Sequence, residues 1–140
     1  MTAIRRLTWA SLVYVVWATT AAAVAIAQGR PAGFAGEQTG LPAGKDFLFG
    51  MGTALSPPLW WIAIQLLLTR WLSRADRFRR IGIYGLIVFG ILECVGAMGE
   101  PITFTIFRPA TFDPFLAVIQ AGMIVLPAAM ALFGVRAPRN

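Results

Sequence analysis

Histidine is absent from this chain of 140 residues, and cysteine occurs once, as Cys94. The first absence excludes every catalytic triad with an imidazole base and any haem or zinc held by histidine. No cluster of acidic and sulfur side chains has metal-ligand spacing either. The second absence excludes an intrachain disulfide. Charge is scarce as well: Asp, Glu, Lys and Arg make up 13% of the chain, about half their usual share in a soluble domain. There is no glycine-rich phosphate loop and no nucleophile elbow. No cofactor is expected.

Apolar surface is what the chain has in abundance, with 58% of its residues hydrophobic. A soluble core of this size cannot enclose so much of it, so lipid is the expected solvent. Four apolar stretches, residues 7–27, 47–69, 81–99 and 114–135, are each long enough for about 30 Å of hydrocarbon. The expected fold is all-α: a polytopic membrane protein with a single domain over 1–140, folded as a bundle of four transmembrane helices. The first stretch has a rival reading. Arg5-Arg6, an apolar run and Ala25-Ile26-Ala27 resemble a secretory signal with its small-residue cleavage site. The run is long for a signal, and it is read as a retained first helix.

Orientation follows from arginine. Residues 70–80 contain Arg70, Arg74, Arg77, Arg79 and Arg80 against Asp76 alone. The excess of cations in cytoplasmic loops places this connection inside. Four spans then put both termini inside too (N-in/C-in), in agreement with Arg5, Arg6, Arg136 and Arg139. A plasma membrane is the expected location. The net charge of +6 comes from arginines set between apolar spans, where they fix topology and attract anionic membrane lipids; no nucleic-acid partner is expected.

The connections differ in kind. Residues 28–46 are rich in Gly and Pro and read as a loop. Residues 102–112 are outside yet apolar, with Phe104, Phe107 and Phe112; they are expected to lie among headgroups or to fold over the bundle as a lid, with Arg108 near Glu100 or Asp113. Within 47–69, Ser56-Pro57-Pro58 removes two backbone donors and predicts a kink.

Glu93 is the carboxylate set well inside an apolar stretch, and Glu100 follows it by seven residues. Seven helical steps return to within about 20° of the same face, which also carries Gly82, Gly90, Gly96 and Ala97. An ionised group at this depth costs a few kcal/mol, and no lysine or arginine lies within any of the four stretches to pair with it. Glu93 is therefore expected to keep its proton unless water or a ligand reaches it. Gln120, Thr19, Thr20, Thr53 and Ser56 fall at a similar depth, about 10 Å in from the outer ends of their stretches. Trp60 and Trp61 follow the kink, deeper than an interfacial aromatic belt. The sequence thus predicts an outer-leaflet pocket around Glu93, with Gln120, Thr19, Thr20, Thr53, Ser56, Trp60 and Glu100 as ligand-binding candidates.

Such a pocket suits a small apolar or amphipathic molecule, to be bound or transported. Transport by four helices would call for a homodimer. Two alternatives use the same residues. In one, the small-residue stripe packs on a membrane-protein partner and the chain is a non-catalytic accessory subunit. In the other, Glu93 is the acid or base of a membrane-embedded isomerase or cyclase, with Glu100 as a second carboxylate.

Overall fold

The structure, a computed structural model, describes residues 2–34, 37–74 and 77–137. Asp76 and Arg139, used above for topology, lie outside the described residues. Helix α1 spans Ala3–Ala27, α4 spans Arg77–Gly99 and α6 spans Pro114–Val135; these three are long and apolar enough to cross a membrane. Between α1 and α4 come a two-residue antiparallel ribbon (β1 Gly33–Phe34, β2 Glu37–Gln38), the short helix α2 (Ala43–Phe49) and α3 (Leu59–Trp71). Between α4 and α6 lie α5 (Pro101–Ile106) and one 3-10 turn.

Local chemistry sets the ends of these helices. The Thr2 hydroxyl accepts the Arg5 N–H at the start of α1. One Asp113 oxygen accepts the N–H groups of Phe115 and Leu116 at the start of α6, beside Pro114 at the first helical position. The buried line of α1 runs Leu7, Ser11, Tyr14, Ala18, Ala21, Ala25, in steps of three and four that keep one narrow seam facing the bundle. Its alanines let neighbouring helices come close. Lipid removes the hydrophobic drive between helices, so close contact is what holds them. Gly82 and Gly90 do the same on α4. A Cβ on Gly82 would sit 2.7 Å from the Leu68 carbonyl oxygen, and one on Gly90 2.5 Å from that of Pro127.

Two apolar clusters show how the helices alternate. Leu7, Leu68, Leu72, Ile83, Leu86, Met130 and Ala137 pack at one end; Tyr14, Ala18, Ala21, Ala25, Leu55, Ile62, Ile102, Ile106, Leu116, Ile119 and Met123 pack at the other. The start of α1, the end of α6 and the turn between α3 and α4 therefore share one end. At that turn Arg74 and Arg77 lie 5.7 and 5.2 Å from the centre of the Phe78 ring.

The second apolar stretch departs from expectation. Instead of one kinked helix over 47–69, α2 stops at Phe49, residues 50–58 are not helical, and α3 begins at Leu59. Two causes act together. Pro57 and Pro58 withhold N–H groups and drive the residue before each of them to extended backbone. Gly52 takes φ +110°, and a Cβ there would collide with the backbone of Ser56, Pro57 and Pro58. The 13 residues of α3 reach only about 20 Å at 1.5 Å per residue, short of a full crossing. Segment 50–58 instead turns back on itself: Thr53 N–H donates to the Ser56 carbonyl (2.8 Å), and the Thr53 and Ser56 hydroxyls bond each other (2.9 Å). Gly52, Thr53, Leu55, Ser56 and Pro58 are buried, as irregular backbone inside a membrane protein requires.

The connector after α4 packs one side on the bundle and leaves its phenylalanines outside. Ile102 and Ile106 of α5 are buried in the core cluster, while Phe104, Phe107 and Phe112 are exposed. Arg108 is exposed as well.

Candidate functional site

Where the helical part of the second stretch is missing, a cavity of about 260 Å³ remains between α1, α3, α4 and α6, with residues 51–58 as one wall. Its apolar lining includes Leu55, Leu92, Ala97 and Met123, and no lysine or arginine is among the residues that line it. Six of the eight candidate residues line it: Glu93, Gln120, Thr53, Ser56, Trp60 and Glu100.

Glu93 is 6% exposed. Its Oε1 accepts the indole N–H of Trp61 at 2.9 Å. The Trp61 ring stacks on Phe89 with centroids 4.2 Å apart. Phe89 precedes Glu93 by one turn of α4, so the two grip the indole from the same face. Glu93 Oε2 has no hydrogen-bond partner among the described residues. Gln120 is oriented by its donors: its Nε2 reaches the Ala97 carbonyl at 2.8 Å and the Thr103 hydroxyl at 2.6 Å. A carbonyl can only accept, so Nε2 must face Ala97, and Oε1 is left without a partner. Thr103 passes its own proton to the same Ala97 carbonyl. The Tyr14 hydroxyl, 1% exposed, is the third unpartnered polar group on this lining.

The remaining candidates serve the walls. Trp60, half exposed, donates to the Gly50 carbonyl at 3.2 Å and meets Trp61 edge to face. Glu100 Oε2 accepts the Gly33 N–H at 3.2 Å, so it holds the ribbon. Burial pushes the Glu100 carboxyl up to about 7; the Gly33 N–H works against that shift and the nearby Asp46 charge adds to it.

Thr19 and Thr20 do not join the site. Both are exposed, and their hydroxyls donate to the carbonyls of Val15 (2.8 Å) and Val16 (2.9 Å) in their own helix. The reason is rotational: the inward line of α1 runs through Ala18, and the next two residues stand about 100° and 200° away from it.

Sequence reasoning missed three participants. Tyr14 was legible only as a member of the inward α1 line. Trp61 was noticed for its depth, yet it bonds Glu93 where Trp60 had been the candidate. Asp46 carried no local signal. Fully buried, it accepts from Ala32 N–H (3.1 Å), the Thr39 hydroxyl (2.5 Å) and Met51 N–H (2.9 Å), which ties the loop above the cavity together. A separate buried network, Ser11, Gln65, Thr69 and Met130, joins α1, α3 and α6 toward the opposite end.

Buried polar atoms without partners are rare in folded proteins and each calls for an explanation. Three of the residues that line this one apolar-walled cavity carry such an atom. Comparison with family models finds no match to this chain, and searches of curated proteins and of solved structures find none either.

Proposed function

We propose that this chain is an integral membrane protein that binds a small apolar or amphipathic molecule in the cavity around Glu93. The observation that carries this reading is that Glu93, Gln120 and Tyr14 line one apolar-walled cavity and that each has a buried polar atom without a partner among the described residues. Its volume of about 260 Å³ exceeds the ~150 Å³ that is enough to hold a benzene-sized molecule. In this reading α3 completes a bundle of four crossing segments, assisted by α2 and residues 50–58. The two termini and residues 70–80 face the cytoplasm, and the cavity opens in the outer half.

The accessory-subunit alternative needs the small-residue stripe of α4 for a partner, but Gly82 and Gly90 of that stripe are already taken by α3 and α6. The acid–base enzyme alternative has both carboxyls on the lining, although Glu100 commits an oxygen to Gly33.

Native mass spectrometry of the protein extracted gently from its own membrane tests the proposal. A retained small molecule is expected on the wild type and is lost in Glu93→Leu. A stoichiometric protein companion with no small ligand would replace the binding reading with the accessory one.

A further inference from the structure

Three residues that line the cavity carry a buried polar atom without a partner among the described residues, and these atoms have a common character. Glu93 Oε2 and Gln120 Oε1 are carboxyl and amide oxygens, and the Tyr14 oxygen can also accept. That makes three acceptors. Both ionisable carboxyl groups on the lining, Glu93 and Glu100, are acidic, and neither lysine nor arginine lines the cavity to balance them. The indoles of Trp60 and Trp61 stand on the same lining, and indole is the aromatic surface that attracts a cation most strongly. A buried carboxylate away from water is stabilised most by a positive partner that also bonds to it.

From this geometry we propose that the guest is an amphipathic primary amine. Its ammonium brings three N–H donors to match the three unpartnered acceptors and one positive charge to match Glu93, and its short hydrocarbon body lies against Leu55, Leu92 and Met123. This rests on the pocket reading above and adds to it the class of the headgroup. An alcohol of the same length supplies one donor and leaves two acceptors open. A carboxylate of that length meets like charge.

The test uses the full chain in lipid nanodiscs, titrated separately with n-hexylamine, 1-hexanol and hexanoate. Tryptophan emission is the readout, because Trp61 is bonded to Glu93, and partitioning into empty nanodiscs is subtracted. Hexylamine is expected to bind at least about tenfold more tightly than hexanol, as bonds to charged groups exceed neutral ones, and hexanoate least. In Glu93→Gln the amide oxygen can still accept from Trp61, and the preference for the amine should fall to about threefold or less. Tyr14→Phe removes a hydroxyl that bonds nothing among the described residues, so the fold should tolerate it; hexylamine should lose several-fold in affinity. Equal affinity for amine and alcohol, or an amine preference untouched by both variants, overturns the amine assignment while leaving a pocket. No response to any of the three compounds overturns the pocket and the amine together.

Discussion

Glu93 and Glu100 lie on one face of the same chain segment, yet their surroundings give them different work. Glu93 keeps one oxygen without a partner among the described residues, whereas Glu100 holds the Gly33 N–H of the ribbon. Burial raises the Glu100 carboxyl from 4.5 to about 7, so in the folded protein it holds a proton that the unfolded chain has released. Between those values the folded state binds more protons, and stability must fall as pH rises. The contribution is fully present below about pH 4.5 and is lost as pH climbs through about 7. Unfolding measured from pH 4 to 8 should show the wild type losing stability relative to Glu100→Gln over that window. A constant difference between the two would mean that Glu100 ionises alike in both states. At this scale the sequence was informative about type and depth, but not about partners. It marked Glu93 and Gln120 as costly residues in an apolar run. It had no means of showing that Trp61 and not Trp60 would meet Glu93, because the two differ by about 100° of rotation and only the position of α4 selects one.

Helix contacts are decided by single glycines. At Gly90 an added Cβ would press on the Pro127 carbonyl oxygen at 2.5 Å and the Ala131 nitrogen at 3.0 Å, both backbone atoms of α6. At Gly96, two turns nearer the cavity's outer side of α4, an added Cβ meets nothing within 4 Å. Gly90→Ala should therefore destabilise the fold by about 1–3 kcal/mol, while Gly96→Ala should be neutral or stabilising by up to about 1 kcal/mol through helix propensity. Unfolding of the two variants side by side in mixed micelles checks this; equal effects would place α4 and α6 further apart than the structure has them. The long apolar runs were legible as helices because length and composition suffice for that. The break at 50–58 was legible only as a kink. Pro57-Pro58 announces trouble for a helix, but the left-handed backbone of Gly52 and the Thr53–Ser56 turn arise from contacts within the folded segment.

For the whole molecule, the alternation of helices puts both described ends of the chain and the turn after α3 at one end of the bundle, with the ribbon and α5 at the other. The proposed orientation places the first of these ends in the cytoplasm. Single cysteines at exposed Ser73 and Gln38, in a Cys94→Ala background, report it directly. A membrane-impermeant maleimide should label Gln38→Cys in intact cells and Ser73→Cys only after permeabilisation. The reverse pattern would invert the protein, and the cavity would then face the cytoplasmic leaflet. The ribbon held by Glu100, and the loop held by Asp46, lie at the same end as the cavity.

Composition and the length of the apolar runs determined by themselves that this chain forms helices suited to lipid, because burying a hydrogen-bonded helix in hydrocarbon depends on residue type and number alone. Counting along the apolar runs grouped Glu93, Gln120, Thr53 and Ser56, which line one cavity, although Thr53 and Ser56 stand on non-helical backbone where the count assumed a helix. Rotation about each helix axis was not countable. It turned Thr19 and Thr20 outward and brought Tyr14 in, since which face is buried is fixed by the small residues that let neighbouring helices approach. Only the tertiary structure decided that the second apolar run would break, and that the space it left would be closed by Trp61, Gln120 and Tyr14 into a cavity.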